Sequence, residues 1–90
     1  MKTLKELKEA AKKKKLRWEI NRIPSLGQVE IGIEYRNNIW AWWVVYTQNV
    51  YSDVDDEVCF FRETYNCICG RQNKTFSRGF DVERQLFRGI

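Results

Sequence analysis

The chain has 90 residues, 43% hydrophobic and 14% aromatic, which suffices for one folded domain and excludes a disordered chain. It carries a formal net charge of +4 and contains no histidine, which excludes Ser-His and Cys-His nucleophile pairs and the commonest general base. No apolar run approaches the roughly 18 residues that a membrane-spanning helix needs.

The positive charge is concentrated at the N-terminus. Residues 1–17 contain eight basic and two acidic residues (+6), whereas residues 18–90 contain eight basic and ten acidic residues (−2). Thr3 and Glu6 have the spacing of a capping box, which predicts a helix from Leu4 to Lys14. The apolar residues that follow at helical spacing are Leu4, Leu7 and Ala11. Since this Lys-rich segment lacks the apolar region of a secretory signal, we expect a cytoplasmic protein.

Alternation of apolar and polar residues predicts strands in the next part of the chain. A first strand after Arg17 ends at the break formed by residues 24–27, and residues 28–36 then alternate throughout. Asn37 and Asn38 suit a two-residue turn, because Asn tolerates positive φ. Residues 39–46 hold three of the four tryptophans and predict a central strand that is apolar on both faces. We expect most of these rings, Trp42 among them, to be core residues.

The pattern is weaker after residue 47. Residues 48–57 form a polar, acidic stretch, and residues 58–70 fit a helix by apolar spacing but a strand by composition, which we favour. A turn over residues 71–74, a short strand over 75–78 and a helix over 81–88 capped by Asp81 complete the prediction.

These elements predict an α+β fold in a single domain over residues 1–90. It would comprise a basic helical arm (1–17) and an antiparallel sheet of four or five strands with a short C-terminal helix (18–90). We expect the helices and the sheet to pack as a two-layer sandwich.

The sequence contains no recognisable catalytic, cofactor or metal motif. Phosphate-binding and dinucleotide-binding glycine patterns are absent, and the aspartates of the acidic stretch fail the calcium-loop pattern because Thr64 stands where its last ligand should be. The odd number of cysteines, Cys59, Cys67 and Cys69, predicts reduced, buried or half-buried thiols. We therefore expect no enzymatic activity, no cofactor and no metal.

Two charged segments are the predicted contact surfaces. At about 100° per residue, four lysines of the first helix fall within about 80° of arc. The predicted partner-binding residues are Lys5, Lys8, Lys12, Lys13, Lys15 and Arg17 in the basic segment and Asp53, Asp55 and Asp56 in the acidic one.

These features favour a small non-enzymatic module that binds a protein or nucleoprotein by occupying its surface. By analogy alone, such chains include phage or mobile-element accessory inhibitors of the anti-CRISPR kind. The alternative is a nucleic-acid-binding protein whose Lys-rich helix contacts phosphates. An exposed tryptophan would be a further candidate, as a stacking platform or a protein hot spot. We expect no membrane partner.

Overall fold

The computed structural model describes residues 2–90 as two helices and a curled antiparallel sheet. In chain order the elements are β1 (Lys2–Thr3), α1 (Leu4–Lys13), β2 (Trp18–Ile23), a 3-10 turn (Pro24–Leu26), β3 (Gln28–Arg36), β4 (Ile39–Tyr46), β5 (Val58–Ile68), β6 (Arg71–Thr75) and α2 (Gly79–Leu86). The strand order is β1-β5-β4-β3-β2, and β6 also pairs with β5. The predicted α+β fold with a helix near each end is confirmed, but the predicted strand number is too low. Neither helix described in residues 2–90 has the length and apolar character needed to cross a membrane.

The first helix begins and ends with local motifs that its sequence encodes. The backbone N–H of Glu6 donates to the Thr3 hydroxyl at 3.2 Å, and the Thr3 N–H donates to the Glu6 carboxylate at 3.1 Å, so the capping box is confirmed. At the other end the Leu16 N–H donates to the Ala11 carbonyl, which is the long bond of a Schellman motif. Lys15 supplies the left-handed residue of that motif, with φ of 56°.

The centre of the sheet follows the predicted hairpin. β3 has the predicted bounds, and Asn38 has φ of 64° in the turn that leads to β4. β4 lies between β3 and β5, as expected for the Trp-rich strand. The pairing of β4 with β5 shifts where Trp42 is opposite Glu63 and Trp43 is opposite Phe61, so Arg62 is the extra residue of a β-bulge.

The C-terminal third differs from the prediction in its turn and its last strand. β5 confirms that residues 58–68 favour a strand. Cys69 and Gly70 have φ of 54° and 76° and form the turn, so β6 occupies the residues that were predicted as the turn. The predicted strand over residues 75–78 is therefore wrong. The sequence shows no alternation of apolar and polar residues in β6, because all five of its residues are polar and four of them are exposed.

The second helix begins two residues earlier than predicted. Its N-cap is Arg78, which makes no side-chain capping bond, and Asp81 lies inside the first turn. The prediction that Asp81 caps the helix is wrong. Gly79 is the first residue of the helix, and its α-carbon lies against Phe61, where a β-carbon would come within 2.7 Å of the ring.

One hydrophobic core joins both helices to one face of the sheet. Its buried residues are Leu4, Leu7, Ala10, Ala11, Val29, Ile31, Ile33, Ala41, Trp43, Val45, Val50, Val54, Cys59, Val82 and Leu86. Trp43 is 0% exposed, contacts Phe61 edge-to-face and donates its indole N–H to Glu83 at 3.0 Å. Trp42 is only half-buried and is absent from this cluster, so its assignment to the core is wrong.

Candidate partner-binding surfaces

The two charged segments predicted to contact a partner also contact each other. The Lys8 ammonium lies 2.6 Å from the Asp55 carboxylate. The backbone N–H of Lys5 donates to the Asp55 carbonyl at 2.9 Å, and the N–H of Leu4 donates to the Glu57 carbonyl at 3.0 Å. The acidic stretch of residues 48–57, called the acidic loop below, thereby accepts hydrogen bonds from backbone N–H groups at the start of α1. It also places negative charge at the positive end of the dipole of α1. Lys8 and Asp55 therefore have a structural role within the chain.

The other predicted basic residues divide into engaged and exposed ones. The Lys12 ammonium lies 5.5 Å from the centre of the Trp18 ring. The Arg17 guanidinium lies 3.8 Å from the Glu34 carboxylate and 5.7 Å from the centre of the Trp40 ring. The predicted residues that are exposed and make neither an ion pair nor a cation–π contact within residues 2–90 are Lys5, Lys13, Lys15, Asp53 and Asp56.

The side of the sheet opposite the core carries a second group of candidate side chains. We call it the open face and define it by Glu19, Asn21, Glu30, Trp40, Trp42, Arg62, Glu63 and Tyr65. A hollow of about 360 Å³ lies on it, and all of its lining residues belong to strands. Trp42 lines this hollow together with charged side chains.

Two half-buried tryptophan rings stack on the open face. The ring centres of Trp40 and Trp42 are 6.2 Å apart and their planes differ by 22°. Trp42 lies over Gly32 of the neighbouring strand, where a β-carbon would come within 2.6 Å of the ring. Glycine at this position therefore lets the indole lie flat against the sheet.

A charge network surrounds this ring pair. From the bulge, the Arg62 guanidinium reaches the carboxylates of Glu30 at 3.3 Å and Glu63 at 3.7 Å. Lys74 lies 3.3 Å from Glu63, and the Tyr65 hydroxyl donates to Glu63 at 2.5 Å.

These contacts set the ionisation of Glu63. The hydrogen bond from Tyr65, with the nearby Lys74 and Arg62 charges, holds the pKa of Glu63 below its ordinary value. The same hydrogen bond to Glu63 raises the pKa of Tyr65. A carboxyl group with a lowered pKa remains ionised at neutral pH, so Glu63 suits ion pairing better than proton donation.

The helical side of the molecule carries a second, basic hollow. It has a volume of about 880 Å³ and is lined by Arg36, Asp81, Arg84, Gln85, Phe87 and Arg88. The Lys14 ammonium donates to the Gln85 carbonyl at 2.8 Å, which holds the Lys-rich end of α1 beside α2. The sequence did not indicate this hollow, because its arginines are dispersed between residues 36 and 88.

The cysteines occupy three different environments. Cys59 is buried, and burial together with the nearby Glu57 and Glu83 raises the pKa of its thiol to about 12. Cys67 is half-buried, whereas Cys69 is exposed, so the expectation of burial is wrong for Cys69. Among residues 2–90, no three Cys, Asp or Glu side chains are placed to share a metal ion.

Comparison with known proteins gives no relative for this chain. No protein-family model, no curated protein and no solved structure matches it. Inference about its function therefore rests on its own surfaces.

Proposed function

We propose that this protein is a non-enzymatic protein-binding module and that the open face is its main contact surface. The observation that carries the proposal is the half-exposed, stacked pair of Trp40 and Trp42 beside the 360 Å³ hollow. In this proposal the helices and the sheet form two layers, and the helix layer leaves the opposite side of the sheet free to meet a partner.

The residue types of the open face are those that dominate protein interfaces. Trp, Tyr and Arg are enriched among the residues whose truncation costs the most binding energy. The open face places Trp42, Tyr65 and Arg62 around one hollow, with Trp40 stacked on Trp42. Arg62 is held by two carboxylates, so it would enter a complex with little loss of side-chain freedom.

The charge of the open face favours a protein over a nucleic acid. Carboxylates of Glu19, Glu30 and Glu63 line the hollow, against a single lining cation, Arg62. Arg62 already pairs with Glu30 and Glu63, so a phosphate would find this cation engaged, whereas a basic or aromatic side chain could pack on the Trp42 ring and reach the exposed Glu19.

The test uses variants that remove or displace the Trp42 ring. Trp42→Ala removes it, and Gly32→Ala keeps it but forces it off the sheet. Wild type and variants would be immobilised and exposed to host-cell lysate, and a prey protein retained by wild type would be purified for calorimetry. We expect each variant to bind this prey at least about tenfold more weakly, as for a hot-spot residue.

Tyr51→Ala is the matched control, because Tyr51 is an exposed aromatic residue in the loop after β4. It should bind the prey as wild type does. Circular dichroism and thermal melting establish that each variant is folded. Unchanged prey affinity in both folded ring variants would reject the open face as the contact surface.

A second candidate function is nucleic-acid binding by the helical side. The observation that favours it is the contact of Lys14 with Gln85, which places the lysines at the end of α1 beside the arginine-lined hollow. Such a surface could neutralise several phosphates at once. The further assignment to counter-defence inhibitors of the anti-CRISPR kind stays a proposal by analogy of size and composition.

A further inference from the structure

The outer edge of β2 offers unpaired backbone groups. β2 is the last strand of the sheet and pairs only with β3 within residues 2–90. The Glu34 N–H donates to the Arg17 carbonyl, so the odd-numbered residues 17–23 make the hydrogen bonds to β3. The N–H and C=O groups of Trp18, Ile20 and Arg22 therefore point away from the sheet.

The two outer edges differ in their protection against pairing. β6 exposes Arg71 and Lys74, and charged side chains on an edge strand discourage a further strand. β2 also carries two exposed charged residues, Glu19 and Arg22, but it contains neither lysine nor proline, and its Trp18 and Ile20 are half-buried apolar residues, whereas all five residues of β6 are polar. The β2 edge is thus the one better suited to accept a strand.

One antiparallel register lets two β2 edges satisfy each other fully. If Ile20 lies opposite Ile20 of a second copy, Trp18 lies opposite Arg22 of that copy, and all three outward-pointing residues of each copy are paired. A shift by two residues in either direction leaves an outward residue of each copy unpaired. In the centred register, with Ile20 opposite Ile20, Glu19 faces Asn21 of the other copy. The side-chain amide of Asn21 donates one N–H to Glu30, which leaves its second N–H for the Glu19 carboxylate of the other copy.

Charge complementarity favours the same arrangement. Lys12, Lys15 and Arg17 lie at the Trp18 end of β2. At the opposite end, the Arg22 guanidinium donates to the carbonyls of Val50 and Ser52, which holds the next residue, the exposed Asp53, near that end. Antiparallel pairing brings Lys12, Lys15 and Arg17 of one copy toward Asp53 of the other, twice in each dimer.

We infer that the protein forms a symmetric dimer by antiparallel pairing of β2 with β2 of a second copy, centred on Ile20. Because facing residues lie on the same side of a sheet, both pairs of helices remain on one side and the two open faces adjoin. Glu19 and Asn21 line the hollow, so the hollows of the two copies meet at the symmetry axis. The dimer does not depend on the proposed function, but it would double the contact surface.

The experiment traps the register with single cysteines at exposed positions. Cys67→Ser and Cys69→Ser remove the accessible native thiols, while the buried Cys59 is retained. Glu19→Cys and Asn21→Cys are then introduced in separate chains, both at exposed residues. Since Glu19 faces Asn21 across the axis, mild oxidation of an equal mixture should give a disulfide-linked heterodimer.

Each cysteine variant alone is the control for the register. Copies of the same variant would carry their cysteines two residues out of register, with α-carbons more than about 7 Å apart, which is too far for a disulfide. We expect neither variant alone to cross-link. Self-cross-linking of Glu19→Cys or Asn21→Cys would overturn the centred register.

Sedimentation equilibrium of the wild-type chain tests the dimer without cross-linking. We expect a concentration-dependent dimer whose dissociation constant rises severalfold from low to high salt, because the end contacts are ionic. Ile20→Pro removes an outward N–H without removing a bond to β3, and proline is tolerated at such edge positions. We expect this variant to be monomeric. A wild-type chain that is monomeric up to millimolar concentration would overturn the inference.

Discussion

Lys15 occupies the position in a helix-ending motif where glycine is the usual residue. Its φ of 56° is left-handed, and its N–H donates to the Lys12 carbonyl as the Schellman motif requires. A residue with a β-carbon destabilises the folded state by roughly 1–2 kcal/mol in this conformation. Replacement by glycine removes that destabilisation, but part of the gain is offset because glycine has more conformational entropy in the unfolded chain.

We therefore expect Lys15→Gly to raise the free energy of unfolding by about 0.5–1 kcal/mol. Urea denaturation followed by tryptophan fluorescence measures this change. Lys15→Gln is the control, because it removes the same charge and retains the strained side chain. If both variants gained equal stability, relief of charge repulsion among the lysines would be the cause in place of backbone strain.

The tryptophans show how far single residues can be assigned from sequence. Strict alternation correctly separates Trp42 from Trp43, because neighbours on a strand point to opposite faces. Alternation does not say which face of the sheet the helices cover. It therefore leaves both tryptophans as expected core residues, whereas only Trp43 is one. Gly32 could have indicated the position of Trp42, because a glycine inside an alternating strand is typical of a place where another group approaches the backbone closely.

The first helix has an N-terminal motif that depends on ionisation. The pKa of Glu6 is lowered chiefly because its carboxylate accepts the backbone N–H of Thr3, with a further bond from the Thr3 hydroxyl. A lowered pKa in the folded state means that the carboxylate stabilises the fold above its ordinary pKa of 4.5. This contribution is lost as the pH falls through the lower, folded-state pKa.

As the pH is lowered from about 5 to about 3, we expect the urea concentration at the unfolding midpoint of wild type to decrease, with Glu6 and Glu63 both contributing. Glu6→Gln keeps an acceptor for the Thr3 N–H but cannot titrate, so its urea midpoint should fall less over this range. Glu9→Gln, on the same helix, should follow wild type because Glu9 makes no bond to the cap. An equal fall in Glu6→Gln and wild type would show that the capping box does not depend on the Glu6 charge.

Elements with a strong local signal were predicted well, and those defined by distant contacts were not. α1 has its capping box, and β3 has full alternation and an Asn turn, so local physics determines both. The acidic loop contributes Val50 and Val54 to the core, which two isolated valines among polar residues did not reveal. β1 and β6 are strands because β5 offers them an edge, and short polar segments carry no periodicity from which to infer such pairing.

At the scale of the whole molecule, charge is divided between two sides. The helical side carries Lys13 and Lys14 near the arginines of the larger hollow, whereas on the open face Arg62 and Lys74 are paired with the carboxylates of Glu30 and Glu63. The N-terminal excess of +6 predicted that a basic surface exists. Its extension onto α2 depends on the docking of the two helices, which no local pattern encodes.

This division makes salt the variable that separates the two candidate functions. If the helical side serves solubility and dimer contacts, a fluorescent 20-nucleotide RNA should bind only at low salt, with a dissociation constant weaker than about 1 μM at physiological salt. Lys13→Gln with Arg88→Gln should reduce the slope of log K against log salt by about one unit for each phosphate that the variant no longer neutralises. Arg71→Gln with Lys74→Gln removes two charges from β6 and should leave the slope unchanged. Submicromolar RNA binding at physiological salt that only the first pair of substitutions abolishes would instead make nucleic-acid binding the primary function.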